Sequence, residues 1–187
     1  MKTIAPIVLE TERLTLRPPR EEDAAAIMAV ASDERVAATT YLPHPFLRAD
    51  FDAWLGSVLG AWREKGVGVF AVFTRHDGAF IGSMSLRPSD ETATHASTGF
   101  WFSPQVWGQG YATEALQAVL RFGFEHLALE SVEGRHFAFN PASGRVLEKA
   151  GLTGPVAADL PARGGGVTPG LIRTLHAGDA RYPGPSR

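Results

Sequence analysis

The sequence predicts an α/β (α+β) fold in which a mixed sheet carries helices on both faces. Three observations predict it. Short runs rich in β-branched and aromatic residues alternate with longer runs of helical period. Two of the short runs flank His76-Asp77-Gly78, and Asp-Gly in that setting is a strong hairpin signal. The second half then reads strand, helix, strand, helix, strand, and such crossovers lay helices onto a sheet.

Each element has its own warrant. Leu14-Thr15-Leu16-Arg17 alternates apolar and polar residues, a first strand that Pro18-Pro19 stops. Asp23 to Ala31 is alanine-rich with Asp23 placed to cap it, which predicts a first helix. Tyr41 to Phe46 carries two prolines and reads as an irregular loop. Arg48 to Lys65 repeats Phe51, Trp54, Leu55, Val58, Leu59 and Trp62 at helical spacing, a second helix with one apolar face. Gly68 to Thr74 and Ala79 to Leu86 are the hairpin strands, and Thr98 to Phe102 is a strand ended by Ser103-Pro104. Ala112 to Leu127 is an amphipathic helix, apolar at 112, 115, 116, 119, 120, 123 and 127. Val132 to Phe139 is a strand. Pro141 to Ala150 is a short helix with Asn140 at the N-cap, Pro141 at the first position and Gly151 past the end. Gly164-Gly165-Gly166 and Pro169-Gly170 mark a loop-rich stretch, and Leu171 to Leu175 a last strand. Residues 178–187, with Pro183 and Pro185, read as a disordered tail.

Composition narrows the function. A chain of 187 residues, 44% hydrophobic and 20% charged, suits one domain, taken as residues 1–177. A net charge of −2 without any lysine- or arginine-rich run gives no pull toward nucleic acid or anionic membrane. The absence of cysteine excludes disulfides, thiolate metal sites and an acyl-cysteine intermediate. Histidines 44, 76, 95, 126, 136 and 176 show no ligand spacing, so no metal is expected, and no G-x-S-x-G elbow exists. The start lacks the apolar core of a secretory signal, and Val67 to Phe73 is too short to span a bilayer. Cytoplasmic residence is the expectation.

The chemistry centres on Gln105-Val106-Trp107-Gly108-Gln109-Gly110-Tyr111-Ala112, between a strand and a helix. Two glycines let backbone N–H groups converge, and the following helix adds the positive end of its dipole, a site for phosphate or pyrophosphate. A glycine-rich turn can equally serve as a plain connection. A Walker loop is absent, and a dinucleotide fingerprint would need a small residue where Thr113 stands.

Gln105-x-x-Gly108-x-Gly110-x-Ala112 resembles the acetyl-CoA loop of the GNAT acetyltransferase superfamily. Trp107 to Ala115 is similar to the branch related to ribosomal-protein N-terminal (alanine/serine) acetyltransferases. Asn140-Pro141-Ala142-Ser143 through Val146-Leu147-Glu148-Lys149-Ala150-Gly151 resembles that branch's second signature, and Thr11 to Arg17 its first strand. The matches run in family order over roughly residues 9 to 152.

The resemblance implies a mostly antiparallel sheet of six to seven strands, splayed between the fourth and fifth, the strands at 98–102 and 132–139. A pantetheine arm would lie in that gap. Backbone near Phe102 and Val106 would pair with it, and amides from Gly108 to Thr113 would hold the pyrophosphate. Asn140 would face the pantetheine, Ser143 would sit near the thioester sulfur, and Arg145 would reach the cofactor. Tyr41 to Phe46, Trp101 and His136 are candidates for the acceptor side. The implied activity is direct attack of an amine on acetyl-CoA in a ternary complex, the amine belonging to a small molecule or a protein N-terminus. The resemblance also admits a homodimer.

The proton acceptor is not legible. The related branch carries a glutamate two residues before the glycine of the fourth strand, where this chain has Ser97 before Thr98-Gly99. Ser97, Glu91 or His95 upstream, and His136 on the strand flanking the gap are the candidates, with a water chain as the alternative. That departure motivates a rival reading, a catalytically silent acyl-CoA-binding module; a nucleotide-phosphate binder is a second.

Overall fold

The computed structural model describes residues 7–65, 67–88 and 94–179. Eight strands form one sheet: β1 Leu9–Glu10, β2 Leu14–Arg17, β3 Val69–Thr74, β4 Phe80–Pro88, β5 His95–Phe102, β6 Ser131–Phe137, β7 Thr153–Pro161 and β8 Val167–His176. Their order is β1-β2-β3-β4-β5-β6-β8-β7, and β5–β6 is parallel while the other neighbours are antiparallel. The helices are α1 Ala24–Ala31, α2 Glu34–Ala37, α3 Arg48–Lys65, α4 Tyr111–His126 and α5 Pro141–Lys149.

The predicted mixed α/β sheet is present, and two strands enlarge it beyond six or seven. β1 is a two-residue edge piece on β2. β7 closes the opposite edge just before the expected loop, and Pro169-Gly170, expected in that loop, lie in β8 and pair with β7; most β7 residues are exposed and its register shifts between Thr153 and Val156. An edge strand bathed on both faces carries no period-two burial signal to read.

Alternation along β5 sends neighbouring side chains to opposite faces. Phe102 enters the larger core with Leu116, Val119 and Leu120 of α4 and Leu147 of α5. Trp101 joins a smaller cluster with Ile27 of α1 and Phe51 and Leu55 of α3. Helices therefore cover both faces. α3 spans the residues its apolar spacing indicates, with Phe51, Leu55 and Val58 buried.

Asp23 does not cap α1 with its side chain. Its buried carboxylate accepts two bonds from the Arg17 guanidinium, at 2.7 and 2.8 Å, and one from the Arg20 amide at 2.8 Å. A bidentate guanidinium satisfies a buried carboxylate better than a helix amide does, so the acid ties β2 to the helix entry.

Two close approaches seat α5 on β6. A Cβ at Gly134 would overlap the Leu147 side chain, and one at Gly144 would lie 2.8 Å from the His136 ring. The α5 ends follow the predicted caps: Asn140 accepts from the Ser143 amide, and past the last turn Leu152 donates to the Leu147 carbonyl at 3.0 Å.

β5 and β6 pair from His95↔Ser131 to Thr98↔Gly134, and no pairing follows. β5 beyond that point still pairs with β4, and β6 with β8. The two strands thus part, as the splay expectation required. Thr98, next after Ser97, is the last paired residue, and the gap opens at Gly99.

Candidate active site

The gap leads into a cleft of about 260 Å³ bounded by the end of β5, the loop before α4, the first turns of α5, and residues Val36, Thr39 and Thr40 of and just after α2. Phe100, Trp101 and Phe102 form its floor, and Val106, Trp107, Gly108 and Gly110–Thr113 one wall. Asn140, Ser143, Arg145 and Lys149 form the facing wall.

Gly108 and Gly110 adopt φ of +77° and +84°, the left-handed region where only glycine is free of penalty. The consequence is chemical. Among the described residues, the amides of Gly108, Gly110, Tyr111, Ala112 and Thr113 meet no acceptor within the chain. These donors gather where the α4 dipole is positive. Arg145 and Lys149, one turn apart on α5, add two cations to the same cleft. The arrangement fits an anion with several oxygens.

A strut behind the loop fixes its shape. Glu114 accepts from Thr11 Oγ1 at 2.6 Å, from the Arg13 amide at 3.0 Å and from Arg13 Nε at 2.6 Å. The same guanidinium donates to the Gln109 carbonyl at 3.1 Å and lies 4.3 Å from the centre of the Tyr111 ring. Partial burial acts to raise the Glu114 pKa, but the bonds from Thr11 and Arg13 outweigh it and hold the carboxyl below its ordinary value. Glu114 in the first helical turn also complements the dipole. No short-range signal links Arg13 to Glu114, 101 positions apart.

The other site residues divide. Gln105 and Gln109 belong to the loop but do not line the cleft, and Gln109 Nε2 turns back onto the Gln105 carbonyl at 2.9 Å. The Phe102 carbonyl already accepts the Trp107 indole N–H at 2.9 Å, and the Val106 amide already donates to Ser103 at 3.1 Å. The two backbone groups expected to pair with a pantetheine arm are thus partly engaged. The second lone pair of the Phe102 carbonyl and the Val106 carbonyl, which takes one long bond from Gln109 at 3.4 Å, are left for it.

Asn140 and Ser143 bond reciprocally. Asn140 Nδ2 donates to Ser143 Oγ at 3.0 Å, and the Ser143 amide donates to Asn140 Oδ1 at 3.3 Å. A hydroxyl that accepts one bond still has its own proton to give, here from a wall of the cleft. His136 lies buried beneath α5, outside the cleft lining. Tyr41 is also outside the lining; it meets Phe137 edge-on at 5.4 Å.

His95 and Ser97 lie on the paired part of β5, away from the cleft lining, and His95 Nδ1 is 2.9 Å from Ser131 Oγ. Glu91 falls outside the described residues, as does the tail from residue 180. The register reveals a carboxylate that sequence reading missed. Ser97 is the direct partner of Glu133 on β6, so both side chains share a face. Glu133 is ion-paired with Arg135 at 2.6 Å.

Among the described residues, no group of three or more His, Asp or Glu could hold a metal ion, and no helix is long and apolar enough to cross a membrane.

A family model described as the acetyltransferase (GNAT) domain matches residues 13–153, the span that holds the loop, the gap and α5. The chain belongs to the GNAT acetyltransferases. It is similar to FsC-acetyl coenzyme A-N(2)-transacetylase of Aspergillus fumigatus, 32% identical over 155 residues, which cover 78% of this chain and 64% of that protein. It thus spans just under two thirds of the fungal relative's length. Among solved GNAT structures, an acetyltransferase from Bacillus anthracis superposes with a TM-score of 0.81 at 21% identity, covering 92% of this chain and all of that one. The ribosomal-protein-S5-alanine acetyltransferase of Vibrio fischeri superposes with a TM-score of 0.78 at 16% identity, covering 92% and 98%. At these identities the superpositions establish the GNAT fold alone. Family membership makes the chain an acetyltransferase; the donor's grip and the acceptor are questions for its own residues.

Proposed function

We propose that residues 1–177 act as one domain that transfers an acetyl group from acetyl-CoA to an amine, both reactants being bound together. The observation that carries this is the gathering of free amides at Gly108, Gly110, Tyr111, Ala112 and Thr113 on the positive end of α4, at the mouth of the β5–β6 gap. Those donors suit a pyrophosphate, and Arg145 and Lys149 add charge. The gap suits an extended arm lying where a strand partner is missing.

Ser143 offers its hydroxyl proton to the departing thiolate while Asn140 holds its oxygen in place. Holding amine and thioester together supplies much of the acceleration. Ser97 and Glu133, side by side in the last paired stretch before the gap and outside the cleft lining, take up the amine's proton through a chain of water, whereas His95, tied to Ser131, stands further from the gap. Val36, Thr39, Thr40 and Trp101 form the acceptor end, and no described residue lining the cleft is a carboxylate. That lining favours an amine with uncharged or aromatic neighbours over a polyamine.

Calorimetric titration with acetyl-CoA, with ATP and NAD as controls, tests the reading. Micromolar binding of acetyl-CoA alone supports it, and no binding defeats it. Gly108→Asp should remove the affinity through charge; nothing lies within 4 Å of a Cβ there, and the strain of a side chain at φ +77° is read separately as a lowered melting temperature.

A second reading, an acyl-CoA-binding module without turnover, is favoured by Ser97 standing where the related branch has glutamate. Thiol release from acetyl-CoA across a panel of peptide amino termini, amino-acid amides and polyamines separates the two.

A further inference from the structure

The stretch marked by Gly164-Gly165-Gly166 has a task that the transfer chemistry leaves unexplained. It is the tip of the β7–β8 hairpin. The three glycines adopt φ of +86°, +103° and +78°, and the tip closes through Ala162 N to Gly166 O at 3.1 Å and Gly165 N to Ala162 O at 3.2 Å. This turn throws Arg163 across to a part of the chain more than 120 residues earlier. Its Nη2 donates to the carbonyls of Ala37 at 2.7 Å, Thr40 at 3.4 Å and Leu42.

Those carbonyls belong to the end of α2 and the residues after it. A helix leaves its last carbonyls without internal partners, and a cation placed there also meets the negative end of the dipole. α2 is four residues long, too short to stand without outside support. Its other polar contacts are local: Asp33 accepts from the Arg35 amide at 2.9 Å, and Thr40 Oγ1 donates to Val36 at 2.9 Å. Among the described residues, the hydrogen bonds that reach Val36–Leu42 from beyond that neighbourhood all come from Arg163.

The same segment is the wall of the cleft. Val36, Thr39 and Thr40 line it, and Tyr41, bracketed by two of the carbonyls that Arg163 holds, packs on Phe137, itself stacked on Phe139 at 4.9 Å. We propose that Arg163 is a positioning residue that fixes this wall over the acceptor end, so that the β7–β8 hairpin sets how the amine is presented. This rests on the acetyl-transfer reading. It separates acceptor placement from the grip on acetyl-CoA, because no carbonyl that Arg163 holds lies in the Gly108–Thr113 loop.

The experiment compares the wild-type chain with Arg163→Ala and Arg163→Lys by hydrogen exchange, by calorimetry with acetyl-CoA, and by thiol release with the amine panel. In Arg163→Ala, exchange at amides 38–40 should quicken about tenfold, as loss of charge-assisted bonds to the segment implies. The KM for whichever amine the wild type uses should rise about fivefold or more, with kcat less affected and the acetyl-CoA Kd within about twofold. Arg163→Lys, which keeps a donor cation, should recover part of both effects. Unchanged exchange at 38–40 overturns the tie. Faster exchange with an unchanged KM overturns the link to the acceptor, and so does a loss that falls on acetyl-CoA affinity. If the wild type binds no acetyl-CoA, the transfer reading fails on its own, while the exchange comparison still decides whether Arg163 holds the wall.

Discussion

Gly144 of α5 rests on the imidazole of His136: a Cβ at Gly144 would lie 2.8 Å from both Cε1 and Nε2 of that ring. The ring is held in turn, since Nδ1 lies 3.0 Å from the Phe137 carbonyl, and a carbonyl only accepts. Nδ1 therefore carries the proton, and Nε2, buried without a partner, faces the helix. One residue before Gly144 comes Ser143. The contact thus sets the depth at which Asn140 and Ser143 stand in the cleft wall.

Gly144→Ala should therefore cost stability and turnover together. Overpacking of this kind costs about 1–3 kcal/mol, seen as a lowered melting temperature, and a shift of Ser143 away from the gap lowers kcat. Adding His136→Ala should return part of the lost stability, because the smaller residue makes room. Strictly additive losses in that double-mutant cycle would show that the two positions do not act on each other.

Glu114 should set a pH dependence in the loop. Its carboxyl sits below the ordinary value of 4.5 in the folded chain, so its contribution is fully present above that value and is lost as pH falls through the lower folded value. Glu114→Gln should lower stability at neutral pH by about 1 kcal/mol and flatten the acid end of the stability curve below pH 4.5. Acetyl-CoA affinity should fall as well, because Arg13 loses the anchor that places it against Tyr111 and Gln109. Equal acid sensitivity in both proteins would count against the strut.

Ser143→Ala should separate chemistry from binding. Loss of a proton donor to the leaving thiolate lowers kcat by roughly 10²-fold, while the acetyl-CoA Kd, set at the α4 loop, stays near the wild-type value. Steady-state kinetics beside calorimetry checks this. Equal loss in both quantities would make Ser143 a helix-cap partner of Asn140 and nothing more.

The Ser97–Glu133 pair can be tested on the proton. Glu133→Gln should lower kcat by roughly tenfold or more, with the fold intact because the side chain is part-exposed. Ser97→Ala should have a smaller effect in the same direction. A wild-type kcat in both variants would leave the proton to bulk solvent.

Much of the backbone was legible because its signals are local. The ends of α3 follow from apolar spacing over 18 residues, and the ends of α5 from Asn140, Pro141 and Gly151. The β3–β4 hairpin follows from Asp77-Gly78 between two apolar runs. Edge strands β1 and β7 were not legible, and neither was α2. Two residues, an exposed strand and a single helical turn carry too little periodicity to stand out.

The sequence by itself determined the family, the strand-to-helix loop with its two left-handed glycines, and the cap that brings Asn140 to Ser143. Each depends on residues a few positions apart, whose backbone preferences and reach are the same in any context. Only the tertiary structure decided that Arg13 braces Glu114 across 101 positions, that Arg163 reaches back 126 positions to Ala37, and that Glu133 stands beside Ser97. Such pairings depend on strand order and on where the sheet stops pairing. Those are outcomes of packing the whole chain, and no short window of residues records them.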